Sequence, residues 1–262
     1  MTLTVLWAEP FRTAVVWMGR AAALATLVNA IELLQLRRLL SDAGVWRAAI
    51  LAPRWGAMRP LLEERGFVLI LLLQCAAAAA LAIAAGSPVG CMAAATLALC
   101  TLLAAARFRG TVNGGSDGML FTVLAGLILA QWPDASTRVR EAGLLYVAAQ
   151  LTLSYLRAAF VKLRQPSWWT GDAIAGFVDL PAYGVPSWVP RGGVLLRIVS
   201  VGVMLFECSA ALAWIDTRWC IAFLALAIAF HSATALVLGL NRFLLAWGAA
   251  MPALWFAVHR VH

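Results

Sequence analysis

Apolar residues in this chain do not alternate with polar ones at a short period; they run on in long blocks. A helix crossing the hydrocarbon core of a bilayer needs roughly 20 such residues. Blocks of that kind occupy residues 14–34, 66–86, 89–106, 113–132, 141–161, 194–214, 219–238 and 243–258. The pattern predicts eight membrane-spanning helices. It leaves seven open, because the fourth and the last blocks are short. The expected fold class is all-α, a polytopic transmembrane helix bundle forming one domain over residues 1–262.

Two connections are too long to be simple turns. The first, residues 35–65, interleaves Arg37, Arg38, Arg47, Arg54, Arg59 and Arg65 with leucines and tryptophans. Its first half, residues 33–50, reads as a basic amphipathic helix lying in the headgroup region. The second, residues 164–193, is rich in Pro, Gly and Trp and predicts a structured loop or re-entrant cap, with Trp168, Trp169 and Trp188 suited to the interface. With eight spans, basic residues favour the side of the long connections by twelve to five. The excess of Lys and Arg on cytoplasmic loops then orients those connections inward and both termini outward.

Composition strengthens the membrane reading. The chain is 63% hydrophobic and 12% charged, with a mean hydropathy of +0.88. A soluble domain carries about a quarter charged residues, so lipid must replace water over much of this surface. The formal charge of +8 raises nucleic acid as a partner. The arginines sit in short connections between apolar blocks instead of on one continuous face, which fits a lipid bilayer with anionic headgroups and argues against nucleic acid. Cys75, Cys91, Cys100, Cys208 and Cys220 all lie in apolar stretches without a CxxC pair, and are expected as small buried hydrophobes. No cleavable signal pattern precedes the first block, which is expected to act as its own signal. The alanine tract at residues 76–80 and the preference for Arg over Lys suggest a GC-rich bacterial genome, and hence a bacterial inner membrane.

Ionisable groups inside spans are costly and mark functional candidates. Lys162 is the only lysine among the 20 basic residues of the chain. Arginine is effectively never deprotonated, whereas a desolvated lysine can lose its proton and act as a base. Helical spacing puts Tyr155 on the face of Lys162, with Ala158 and Ala159 one turn away. The alternative is a lysine that snorkels to the interface and marks a helix end. Arg157 lies deeper in the same helix, on the face of Gln150. Glu207 shares a face with Ser200, with Arg197 near the start of that helix; a structural pair between Glu207 and an arginine of a neighbouring helix is the competing reading. His231 is the only histidine inside a span, beside Ser232 and Thr234. His259 and His262 lie at the tail, so no metal site is expected. The glycines around Asn113, Ser116 and Asp117 open the fourth block, either as an anion loop or, more simply, as a helix cap on Ser116 or Asp117.

Three segments together resemble the horizontally transferred transmembrane domain, the membrane part of vitamin K-dependent γ-carboxylase. The first is Arg107-Phe108-Arg109 followed by residues 113–117. The second is residues 150–155, then Lys162-Leu163, Trp168-Trp169 and Gly171, in a K-L-x(4)-W-x(2)-G spacing. The third is Glu207, His231, Gly239-Leu240 and Phe243. The resemblance implies a catalytic base at Lys162, which in those carboxylases deprotonates reduced vitamin K; O₂ then yields a strong base that removes a γ-proton from glutamate before CO₂ adds. It implies a pocket formed by Asn113, Asp117, Tyr155, Arg157, Trp168, Trp169, Gly171, Glu207 and His231. It also implies reduced vitamin K or menaquinol as cofactor, no metal, and a small peptide or protein as carboxyl acceptor.

Two functions compete. One is a quinol-dependent oxygenase or carboxylase with Lys162 as base. The other is a non-catalytic membrane partner for export of, or immunity to, a secreted peptide. A transporter ranks behind both, because the sequence has neither an inverted repeat nor matched broken helices.

Overall fold

The computed structural model describes residues 10–48, 56–108 and 115–262. Its frame is eight helices: α1 (Pro10–Gln35), α2 (Glu64–Ala84), α3 (Pro88–Arg107), α4 (Asp117–Gln131), α5 (Thr137–Leu163), α6 (Val194–Cys208), α7 (Thr217–Leu238) and α8 (Asn241–Val261). No strand occurs among the described residues. Each of the eight blocks of the hydropathy pattern holds one of these helices among the described residues. Seven of them are long and apolar enough to cross a membrane, the sixth by continuing from α6 through a tighter turn to Trp214. The exception is α4, with 15 residues. At 1.5 Å per residue it covers about 22 Å, short of the bilayer core. The last block, short by hydropathy, is a full helix of 21 residues, because α8 extends through polar Asn241, Arg242, His259 and Arg260.

The turns that separate the helices carry their own chemistry. Ser87 caps α3 by accepting a hydrogen bond from the Gly90 amide, with Pro88 at the first helical position. Ser136 does the same for Val139 in α5, and the Asp216 carboxylate accepts from the amides of Arg218 and Trp219 at the start of α7. Gly239, at a φ of 68°, ends α7 in the left-handed conformation that lets α8 turn back at once.

The helix at the centre is the last in the chain. α8 packs against α1, α4, α5 and α7, and its inward residues Ala246, Ala249, Ala250, Ala253 and Ala257 are all buried. Lipid tails are as apolar as leucine, so helices in a bilayer associate through close backbone packing, which small side chains permit. The contact of α4 with α5 uses the same device. A Cβ on Gly126 would lie 2.8 Å from the Gly143 carbonyl oxygen, and one on Gly143 would lie 2.6 Å from that of Gly126. By contrast α6 and α7 leave many large apolar side chains exposed, among them Ile198, Leu205, Ile228 and Leu236, as lipid-facing helices do.

The two long connections emerge at one end of the bundle. The first takes the form of short helices, Arg37–Leu40 and Arg59–Leu62, rather than one continuous helix. After Leu40 the chain turns, with Gly44 N donating to Ser41 O and Trp46 N to Leu39 O. Residues 49–55, including Arg54, lie outside the described set. The amphipathic character is kept, with Leu36, Leu39, Val45 and Trp46 exposed among the arginines. The segment is fastened by Arg107, which is fully buried at the end of α3 and donates to the carbonyls of Leu40 and Trp46. The second connection is structured as expected, through helices Pro166–Thr170 and Asp172–Asp179 and a 3-10 turn at Pro181–Tyr183.

Candidate functional site

Lys162 is the penultimate residue of α5, at the end of the bundle where the long connections emerge. Its Nζ donates to both carboxylate oxygens of Glu207 in α6, at 2.5 and 2.7 Å. The Glu207 side chain is 5% exposed and that of Lys162 17%, so the pair is shielded but not sealed. This corrects the expectation of an arginine partner for Glu207. Arg197 is exposed near the start of α6, while the lysine reaches the carboxylate because α5 packs directly on α6.

The K-L-x(4)-W-x(2)-G spacing acquires a physical meaning here. Pro166 starts a short helix just after Lys162 and swings Trp168 back, so that its indole ring centre lies 5.0 Å from Lys162 Nζ. Gly171 ends that helix at a φ of 89° and sits against the α6 backbone, where a Cβ would come within 2.7 Å of Arg197 N. Only glycine combines that conformation with that approach. Ser200 Oγ then donates to the Trp168 carbonyl at 2.5 Å and ties the loop to α6. Lysine, carboxylate and indole form one unit built from α5, α6 and the loop between them.

A second polar pair lies deeper on the same face of α5. Tyr155 Oη and His231 Nε2 of α7 are 2.8 Å apart, with both residues at most 2% exposed. Edge-on contacts surround the Tyr155 ring, with centroids of Trp247 at 4.6 Å, Phe223 at 5.2 Å and Phe206 at 5.3 Å. Phe206 precedes Glu207, so the two pairs adjoin along α6. His231 Nδ1 is buried and has no hydrogen-bond partner among the described residues; the same holds for Ser116 Oγ. A buried donor or acceptor left unmatched is costly, so these two atoms stand out in an otherwise apolar setting.

The starts of α4 and α8 close this region. Asp117 accepts from Arg242 at 2.5 Å, and Trp247 Nε1 donates to Gly115 O at 2.7 Å. The Phe243 ring occupies the space a side chain at position 115 would need, with a Cβ there 1.9 Å from Phe243 Cζ.

Of the predicted site residues, Lys162, Glu207, Trp168, Gly171, Tyr155 and His231 come together around α5 and α6, and Asp117 lies at the same end of the bundle. Arg157 does not join them: it is exposed on another face of α5. Trp169 turns outward, 46% exposed, with its indole N–H on the Leu163 carbonyl. Ser116 holds the N-cap position of α4 without a side-chain cap bond. Asn113 lies outside the described residues. The sequence reading missed Phe206, Phe223, Trp247 and Arg242. The i, i+4 spacing of Phe243 and Trp247, whose rings stack at an 8° interplanar angle, is the sequence signal that would have found an aromatic face on α8.

The arrangement supports proton transfer. An ammonium and a carboxylate in bidentate contact can exchange one proton between them without changing the net charge of the pair, which matters where the dielectric is low. No known family model matches the sequence, and neither a curated protein nor a solved structure matches it.

Proposed function

We propose that this multi-pass membrane protein is an acid–base enzyme acting on a membrane quinol, with Lys162 as base, in the manner of the γ-carboxylases it resembles. One observation carries the reading: the only lysine in the chain is held by both oxygens of a buried glutamate, beneath an indole ring, at the mouth of an aromatic cluster. In this reading Glu207 takes a proton from the Lys162 ammonium along their hydrogen bond. The neutral amine then accepts a proton from a phenolic hydroxyl brought beside it. The charge of the pair is the same before and after the internal transfer, so the step creates no isolated ion in a low-dielectric setting.

The surrounding residues fit a flat aromatic diol. Trp168 offers a ring face beside the amine, and His231 Nδ1 is an unmatched polar atom suited to a ring oxygen. Reduced vitamin K or menaquinol, when bound, would supply the reaction with O₂ that a side chain cannot. The carboxyl acceptor would be a peptide or small protein, and the bacterial inner membrane the setting.

A second reading rests on the same contact. Both oxygens of Glu207 are already engaged by Lys162, so the pair also suits a purely structural tie between α5 and α6, as in a non-catalytic partner for a secreted peptide. The test is to incubate the protein in nanodiscs with reduced vitamin K or menaquinol under O₂ and follow quinone epoxide by mass spectrometry. Wild type should form epoxide, and both Lys162→Ala and Lys162→Arg should lose activity by about 10²-fold or more, as expected for loss of a general base. A folded wild type without epoxide, or a Lys162→Arg variant that stays active, overturns the enzyme reading in favour of the tie.

A further inference from the structure

At the end of the bundle opposite Lys162, the starts of α1, α3 and α5 and the ends of α2, α4 and α8 surround a cavity of about 540 Å³. It touches none of the residues of the candidate site. Phe11, Val15, Ala130 and Phe256 give it an apolar wall, and Arg12, Arg140, Arg260 and Glu141 are the charged groups among its described lining residues. The described lining is therefore cationic.

The hydrogen bonding of Arg140 and Arg260 is incomplete in a particular direction. Arg260 Nε reaches both oxygens of Glu141 only at 3.4 Å, well beyond the roughly 2.7–2.9 Å of a charge-assisted bond. One terminal nitrogen of Arg140 donates to the Trp132 carbonyl, again at 3.4 Å, and Arg140 Nε is buried with no partner among the described residues. A buried guanidinium N–H without an acceptor is costly, and the guanidinium fork matches the paired oxygens of phosphate and carboxylate. The other polar groups of the lining are already satisfied. Gln131 Oε1 accepts from the Gly86 amide at 2.6 Å, and Ser87 Oγ serves the cap of α3. Arg140 Nε is thus open to an anion, and beside it the cavity offers an apolar wall at the level of the helix ends.

We propose that this cavity binds the anionic head of an amphiphile, a phosphate or carboxylate seated on Arg140 and Arg260 with the apolar part against Phe11, Val15 and Phe256. The phosphate of a phospholipid and a soluble phosphate share that head chemistry. The apolar wall adds binding only for the first.

The full-length protein in neutral detergent micelles would be titrated with short-chain phosphatidylglycerol, with the matching phosphatidylcholine, and with inorganic phosphate at constant ionic strength, following the thermal unfolding midpoint. Phosphatidylglycerol should raise the midpoint and phosphatidylcholine should not. Arg140→Gln should weaken the apparent affinity about tenfold or more, the loss expected for a charge-assisted contact. Arg138→Gln removes an exposed arginine near the same end that does not line the cavity, and should stay within about twofold of wild type. Arg140→Lys keeps the charge but loses the fork, and separates a folding defect from lost recognition by retaining part of the affinity. A response to phosphatidylglycerol alone assigns the site to a lipid head; an equal response to inorganic phosphate assigns it to a soluble anion. Indistinguishable effects of the two lipids on wild type, or equal losses in Arg140→Gln and Arg138→Gln, would overturn the proposal.

Discussion

Replacing Glu207 by leucine leaves the Lys162 ammonium without the carboxylate that engages it at 2.5 and 2.7 Å. Removing one partner of a fully buried ion pair costs about 3–5 kcal/mol, mostly because the remaining charge is stranded. Lys162 is one residue from the end of α5 and its side chain keeps 17% of its exposure. Its flexible stem can therefore carry the ammonium toward the headgroups, which reduces the expected loss to about 2–3 kcal/mol. Lys162→Met strands Glu207 instead, and that carboxylate, 5% exposed and on a shorter stem, cannot reach the headgroups in the same way. Lys162→Met should thus be the more destabilising of the two. The double variant, which removes both charges, should be more stable than the sum of the single losses by about 2 kcal/mol, a coupling typical of residues in direct contact. Equilibrium unfolding in bicelles, measured for wild type, both single variants and the double variant, closes the cycle. Additivity within about 0.5 kcal/mol would refute an energetic role for the pair, and an order reversed between the single variants would refute the reasoning from depth.

Two further perturbations test the frame that holds the site. Gly126→Ala places a Cβ 2.3 Å from Val147 Cγ2 and 2.8 Å from the Gly143 carbonyl; a loss of about 1–3 kcal/mol is expected, whereas Gly118→Ala in the same helix meets nothing within 4 Å and should be close to neutral, and equal unfolding midpoints for the two would sink the close-packing account. Arg107→Met removes the hydrogen bonds to the Leu40 and Trp46 carbonyls while keeping most of the volume; amide exchange and tryptic cleavage at Arg37 and Arg38 should accelerate while α8 stays protected, and an unchanged exchange map would show that Arg107 does not fasten the interfacial segment.

Much of the fold was legible because membrane insertion is a local property. A block of about 20 apolar residues must form a helix wherever it sits in lipid, since each backbone group has to be satisfied within its own segment. Residues 66–86 and 219–238 needed no partner to be read, and became α2 and α7 almost unchanged. The margin of error lay at the ends, where polar Asn241 and Arg260 belong to α8 although hydropathy leaves them out. The interfacial connection shows the opposite limit. Its arginines and leucines announced a surface segment, but the turn after Leu40 and the hold of Arg107 across 67 residues of sequence divide it into short pieces.

The candidate site was legible as residue types and not as an arrangement. Lys162, Glu207 and His231 stand out alone because each is expensive in a membrane, and Tyr155 stands out by its helical spacing from Lys162. That Lys162 takes Glu207, 45 residues away, and that Tyr155 takes His231, 76 residues away, depends on which face of α5 meets α6 and α7. Arg157 was equally expensive on paper, yet it is two residues from Tyr155 and so turned to another side of the helix. By itself the sequence determined the solvent, the approximate limits of the apolar helices with seven or eight spans, and the few polar groups that had to be accounted for. Only the tertiary structure decided that the last helix is the central one, that the lone lysine is held by both oxygens of a glutamate beside an indole, and that an arginine-rimmed cavity opens at the other end. The physical reason is that apolarity drives a helix into lipid on all its sides alike, so the choice of facing surfaces falls to small residues such as Gly126, Gly143 and the α8 alanines, whose close contacts exist only once the helices have met.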